Sequence, residues 1–230
     1  MAVKIVAVVP AAGQGRRFGS DKAYVELSGI PVLIRTLKCL EEVDSVSEII
    51  PVLRREMLED AVKLIERYKI KKVKKVAPGG KERFESVFNG LKLIDDENSI
   101  VLVHDGVRPL VSKALILRII DAMRDSDAVV PGLPVKDTVK EVKDGRVLRT
   151  LKRQLLFNIQ TPQAFRYRLL MSAYVEAMKS RTHFTDDAQV VEAAGAEVTV
   201  VEGDYRNIKI TTPDDLMMAE MFLSRMKEAG

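Results

Sequence analysis

The sequence has few of the residues that build metal centres and cross-links. One cysteine, Cys39, in 230 residues excludes an intramolecular disulfide framework and any zinc site built on paired thiolates. Two histidines, His104 and His183, argue against a His-rich metal centre. No apolar run approaches the roughly 20 residues of a membrane helix. Met1–Pro10 passes straight into Val and Ile without a signal-peptide cleavage pattern, so a cytoplasmic location is expected. Charge of one sign is missing too. The 37 basic and 33 acidic residues interleave to a net charge of +4, which predicts a mixed, solvated surface and no basic arm for nucleic acid.

What is present fits a globular protein. Hydrophobic residues are 47% and charged residues 30% of the chain, enough for a core that needs no covalent staple. Strand-like and helix-like patterns alternate. Val3–Val9 is a β-branched run, the mark of a strand buried on both faces. Further strands are expected at Ser47–Leu53, weakly at Lys72–Ala77, at Ile100–Val103, from Ala128, at Glu197–Val201 and at Ile208–Ile210. Helical spacing predicts helices after Pro31, over Met57–Tyr68, from Phe84 to Ile94, and over Leu115–Met123, Tyr167–Lys179 and Asp186–Ala194. A final helix, Leu216–Met226, is expected to be capped by Thr212 with Pro213 at its first position. Lys136–Lys152 differs: charges alternate with Val139, Val142, Val147 and Leu151 around Asp144-Gly145, a hairpin signal. The expectation is one α/β domain over 1–230: a Rossmann-like three-layer fold on a mostly parallel central sheet, with an inserted β-hairpin arm at about 136–155.

The first loop carries the chemistry. Pro10-Ala11-Ala12-Gly13-Gln14-Gly15-Arg16-Arg17-Phe18-Gly19 combines glycines, which let backbone N–H groups approach an anion, with cations at Arg17 and then Lys22. The Walker pattern G-x-x-x-x-G-K-[ST] is absent. The dinucleotide pattern G-x-G-x-x-G fails because Phe18 fills the third glycine's slot. By itself such a loop is either a phosphate cradle or a plain strand-to-helix turn.

Together with its later motifs, the chain resembles the 2-C-methyl-D-erythritol 4-phosphate cytidylyltransferase family, within the sugar-phosphate nucleotidyltransferases. The resemblance runs from P-A-A-G-x-G-x-R and the following lysine through His104-Asp105-Gly106-Val107-Arg108-Pro109 and Pro134-Val135-Lys136-Asp137-Thr138. It continues through Thr161-Pro162-Gln163, Thr185-Asp186-Asp187-Ala188 and Asn207-Ile208-Lys209. It implies transfer of CMP from CTP to methylerythritol phosphate, with Mg²⁺ or another divalent cation, on a mevalonate-independent route to isoprenoid precursors. Pro10, Ala11, Ala12, Gly13 and Gly15, with Gly80, Arg83 and Ser86, are implied to bind the nucleotide. Arg17, Lys22, Arg153 and Lys209 are implied to be catalytic. Asp105, Arg108, Thr138, Arg153, Thr185 and Lys209 are implied to form the acceptor site, with Thr138 and Arg153 reaching across a homodimer by arm exchange. Asp105, at the carboxyl end of an expected central strand, is the candidate Mg²⁺ ligand. Lys81 stands where relatives often carry aspartate.

The implied chemistry needs no protein base. A phosphate monoester has a second pKa of about 6 and is largely dianionic at neutral pH. Two anions must instead be brought together, a task for cations. Three other readings compete: a ribitol 5-phosphate cytidylyltransferase, a non-catalytic nucleotide-binding regulator, and a nicotinamide-dependent oxidoreductase with a degenerate loop.

Overall fold

The computed structural model describes residues 3–13, 23–179 and 182–228. Strand β1 (Ile5–Pro10) is followed by a short ribbon of β2 (Glu26–Leu27) and β3 (Ile30–Pro31) that leads into helix α1 (Val32–Glu41). Then come β4 (Glu48–Leu53), α2 (Leu58–Arg67), β5 (Ala77–Pro78), α3 (Arg83–Leu91), β6 (Ile100–Val103), α4 (Lys113–Ala122) and β7 (Ala128–Pro134). The hairpin is β8 (Lys140–Lys143) and β9 (Arg146–Thr150). The chain finishes with β10 (Phe157–Ile159), β11 (Gln163–Arg166), α5 (Tyr167–Ala177), α6 (Asp187–Ala193), β12 (Thr199–Glu202) and α7 (Pro213–Glu228).

The main sheet has eight strands in the order β10-β7-β11-β6-β1-β4-β5, with β12 also paired to β7. β1 is parallel to both β4 and β6, β5 is parallel to β4, and β12 is parallel to β7. β10 and β11 run against the others.

Strand alternation sorts the core into two layers. From β1, Ile5, Ala7 and Val9 join residues of α1, α2 and α4 on one face. Val6 and Val8 join residues of α3, α5 and α6 on the other. Unbroken apolar runs such as IVAVV and IVLV are what two buried faces require, which is why these strands were plain in the sequence. A smaller cluster, including Leu27, Val32, Val107, Ile210 and Ala219, seats α7 beside the β2–β3 ribbon.

Several expectations need correction. Ile208–Ile210 is not a strand: within it only the Ile210 N–H reaches a neighbouring segment, donating to Val107 O at 2.9 Å. It lies beyond the strand ends, where no ladder is available. Lys72–Ala77 shrinks to Ala77–Pro78 plus one bridge from Val73 to Ile49. β10 and β11 were not anticipated, since FNI and QAFR are short and carry no β-branched run. The hairpin forms as expected, with Asp144 and Gly145 both at positive φ, as its two-residue turn demands. Every residue of β8 and β9 is exposed, including Val142, Val147 and Leu148.

Candidate active site

A cleft of about 660 Å³ opens at the carboxyl ends of β1, β4 and β6, where open α/β sheets bind ligands. Pro10, Ala11, Ala12 and Gly13 form one wall, and Gly80, Arg83 and Ser86 another. Asp105 and Lys209 close the end between them. Nine residues expected from separate motifs are thus brought together. Arg17, Lys22 and Gly15 lie outside the described residues.

The walls are held by close backbone contacts. Ala11 N donates to Val52 O at 2.8 Å and Gly79 N to Leu53 O at 2.7 Å, continuing the pairing of β1, β4 and β5 past the strands. A Cβ on Gly79 would lie 2.3 Å from the Ala12 Cβ, so the two walls meet only because residue 79 has no side chain. The Gly-rich turn is closed by Ser86, whose Oγ accepts from Gly80 N at 3.0 Å and donates to Glu82 O at 3.0 Å. Lys81 also lines the cleft, its N–H donating to Glu85 Oε2 at 2.6 Å.

Asp105 is the centre of charge. It is buried and meets three cations: Arg83 Nε at 3.1 Å, Lys209 Nζ at 2.9 Å and Arg108 Nε at 3.5 Å. Burial favours the neutral carboxyl, but Arg83, Lys209 and Arg108 outweigh it and hold its pKa well below the usual carboxylate range. Burial also opposes charge on Arg83. There Asp187, at 2.7 Å from Nη2, and Asp105 win, and the guanidinium is held more firmly charged than usual.

Asp105, the candidate Mg²⁺ ligand, has Arg83 on one oxygen and Lys209 on the other. Among the described residues, no three His, Cys, Asp or Glu side chains cluster as an all-protein metal site, so a divalent ion here would rely on a single carboxylate together with substrate phosphates and water.

Distant segments position Asp105. Its backbone N–H donates to Thr161 Oγ1 at 3.1 Å, and the same oxygen lies 3.0 Å from His104 Nδ1. His104 Nε2 lies 3.2 Å from Arg108 O, so the imidazole bridges two backbone turns. Burial pushes its pKa down to about 4, so it is a neutral, hydrogen-bonded group at neutral pH. Asn207 is fully buried and donates from Nδ2 to Thr161 O at 2.8 Å. Arg108 Nη1 donates to Asn207 O at 2.7 Å. The loop carrying Lys209 is therefore tied both to the segment after β6 and to the one before β11.

The remaining acceptor residues are elsewhere within this chain. Arg108 joins the charge cluster without lining the cleft. Thr185 is exposed, and both its N–H and its Oγ1 donate to Gln189 Oε1, at 2.7 and 3.1 Å. The residue capping α6 is Asp186, which accepts from Gln189 N, and not Thr185. Thr138 and Arg153 are exposed at the arm's base and do not line the cleft. Arg153 Nη1 donates to Lys136 O at 2.7 Å.

Some cleft residues escaped the sequence reading. Arg54, Arg55 and Glu56 line it just beyond β4, and Thr211 beyond Lys209. The available signal was position: charged residues at the carboxyl end of a buried strand. Thr211 and Thr212 are fixed by Asp215, whose Oδ2 accepts from both backbone N–H groups at 2.8 Å.

The chain matches the family described as 2-C-methyl-D-erythritol 4-phosphate cytidylyltransferase over residues 5–225. It is similar to the protein of that name from Bacillus licheniformis, with 44% identity over 222 residues, 96% of each chain. It is equally similar, at 44% identity over 234 residues, to that from Syntrophus aciditrophicus, covering 100% of this chain and 99% of the other. Its fold is similar to the crystal structure of 4-diphosphocytidyl-2C-methyl-D-erythritol synthase from Anaerococcus prevotii, with a TM-score of 0.86, 38% identity and 96% of each chain covered. The Thermus thermophilus cytidylyltransferase structure aligns with a TM-score of 0.79 at 32% identity, over 94% of this chain and 98% of that one. With a match that spans nearly its whole length, the chain belongs to the 2-C-methyl-D-erythritol 4-phosphate cytidylyltransferase family.

Proposed function

We propose that the protein transfers CMP from CTP to 2-C-methyl-D-erythritol 4-phosphate, releasing pyrophosphate and forming 4-diphosphocytidyl-2-C-methyl-D-erythritol. The observation that carries this reading is the cluster of Arg83, Arg108 and Lys209 around Asp105 at the end of a cleft walled by Pro10–Gly13 and Gly79–Gly80.

The acceptor's phosphate oxygen attacks the α-phosphorus, and the bond to the β-phosphate bridging oxygen breaks. The nucleophile arrives as a dianion, so no proton has to be removed. The chain's work is to bind and neutralise. The close-packed backbone of Pro10–Gly13 and Gly80, with Ser86, supplies neutral donors and acceptors for cytosine and ribose. Arg83 extends that wall toward the phosphates. Arg17 and Lys22 are assigned to the triphosphate on the strength of the family motif. Lys209 is assigned to the space between the attacking phosphate and the α-phosphate, with Arg108 behind it. Asp105 keeps Arg83, Arg108 and Lys209 convergent, and Lys209 turns to the arriving anions while the arginines keep the carboxylate paired. A divalent cation, where bound, would supply further charge neutralisation at the triphosphate, with Asp105 the cleft carboxylate that would hold it.

Thr138 and Arg153 sit on the exposed arm base, and we assign them to the acceptor site of a second copy in an arm-exchanged homodimer. Thr185 is assigned to the acceptor site from the α6 end. A cytoplasmic location suits a CTP-consuming enzyme. Among the described residues, no helix is long and apolar enough to cross a membrane.

Pyrophosphate release from CTP, compared between methylerythritol phosphate and ribitol 5-phosphate as acceptors, tests the assignment. Faster turnover of ribitol 5-phosphate overturns the acceptor. No release with either acceptor favours a nucleotide-binding regulator.

A further inference from the structure

Beneath the cleft, one carboxylate has no place in the reaction just described. Asp187 is fully buried at the start of α6. Its Oδ2 accepts from Arg83 Nη2 at 2.7 Å, and its Oδ1 accepts from the hydroxyl of Tyr174. Tyr174 is itself fully buried, its ring stacked on Phe84 with centroids 4.6 Å apart and planes 9° apart. Neither Asp187 nor Tyr174 lines the cleft. Arg83 does, and its Nε donates to Asp105 Oδ1 at 3.1 Å. A single guanidinium is thus clamped between two carboxylates, one at the reaction end of the cleft and one in the core.

A buried ion pair is a weak way to gain stability, because apolar residues of similar volume fill such a space at least as well. The arrangement makes sense as orientation. A guanidinium held at both edges has one plane, whereas one held only by Asp105 would swing about that contact and compete with Lys209 for the same carboxylate. The base of the clamp is rigid. Gln163 Nε2 donates to Asp186 Oδ2 at 2.8 Å, and Gln163 Oε1 accepts from Ala188 N at 3.0 Å, fastening both neighbours of Asp187 to β11.

We propose that Asp187, braced by the Tyr174 hydroxyl, is a positioning residue that sets the Arg83 guanidinium for CTP and leaves Asp105 free to hold Lys209. This rests on reading the cleft as the CTP site.

The test uses the full chain. Tyr174→Phe deletes the brace and keeps the stacked ring, and Asp187→Asn removes the charge. Both are expected to raise KM for CTP, Asp187→Asn by about tenfold and Tyr174→Phe by less, with kcat little changed. In an Arg83→Lys background, either change should add almost nothing, because its target is already gone. A purely structural role predicts another pattern: lower thermal stability and less active protein, KM for CTP unchanged, and effects that add to Arg83→Lys. That pattern overturns the proposal. If Asp187→Asn does not fold, the KM of Tyr174→Phe and its coupling to Arg83→Lys decide. If wild-type protein releases no pyrophosphate, the proposed reaction fails on its own. CTP affinities of the same variants, by calorimetry, then judge the clamp, and equal affinities sink it.

Discussion

Lys209 Nζ lies 2.9 Å from Asp105 Oδ2, although the two residues come from opposite halves of the chain. The contact joins the carboxyl end of β6 to an irregular loop and places both residues in the lining of the cleft. Because Asp105 also meets Arg83 and Arg108, the lysine is one of three cations around one anion. It can turn to an incoming phosphate without leaving the carboxylate unpaired.

Lys209→Ala should therefore damage turnover far more than folding. Loss of one donor to developing charge typically costs about 2–4 kcal/mol of barrier, and a comparable loss is expected for Lys22→Ala. The Lys209 side chain is 39% exposed, so the melting temperature should change little. Initial rates at saturating CTP and acceptor provide the measurement. Near wild-type turnover in the Lys209 variant would remove it from the reacting end.

Gly79→Ala tests the cleft wall. The new methyl would lie 2.3 Å from the Ala12 Cβ, and neither group can rotate away. The backbone must shift, at about 1–3 kcal/mol of stability, and the wall assigned to the base shifts with it. A raised KM for CTP and a lower melting temperature are expected together. A variant with unchanged CTP affinity would show that this wall does not touch the nucleotide.

His104 predicts a defined acid sensitivity. Burial lowers its pKa from 6.5 to about 4, so the unfolded chain binds the proton more tightly than the native one. Stability is full above about pH 6.5 and is lost as the pH falls from there towards about 4, by on the order of 3 kcal/mol. Asp105 has linkage of the same sign in a lower window: its depressed pKa contributes stability that is lost only as the pH falls below its ordinary 3.8. The two windows are separable. Melting temperatures between pH 7 and pH 4.5 should fall for wild type and fall less for His104→Gln. Parallel curves would mean that His104 is charged in the native state.

The arm makes a prediction about copies. Arg153 is exposed and its guanidinium donates to Lys136 O within its own chain, away from the cleft. If it serves a partner's site, Arg153→Ala and Lys22→Ala proteins should each be nearly inactive, while a refolded mixture regains activity through hybrid dimers. A mixture no more active than its components would confine each site to one chain.

The legible part of this protein was local. Period-two and uninterrupted apolar runs marked β1, β4 and β6, because strands with two covered faces leave no polar positions. Asp144-Gly145 marked the hairpin, because its turn needs two residues at positive φ. The loop from Pro10 to Gly13 was open to two readings from its own residues, and the family resemblance singled it out; in the structure it lines the cleft. β10 and β11 were invisible, since QAFR has no periodicity of its own and becomes a strand only by inserting between β6 and β7.

Chain order thus determined the layered α/β architecture and the supply of cations, both written in local pattern and residue type. The convergence of Arg83, Arg108 and Lys209 on Asp105 and the seating of Arg83 on Asp187 were decided only by the tertiary structure. Each depends on which strand ends and loops meet in space, and burial, not sequence spacing, sets how strongly those charges act on one another.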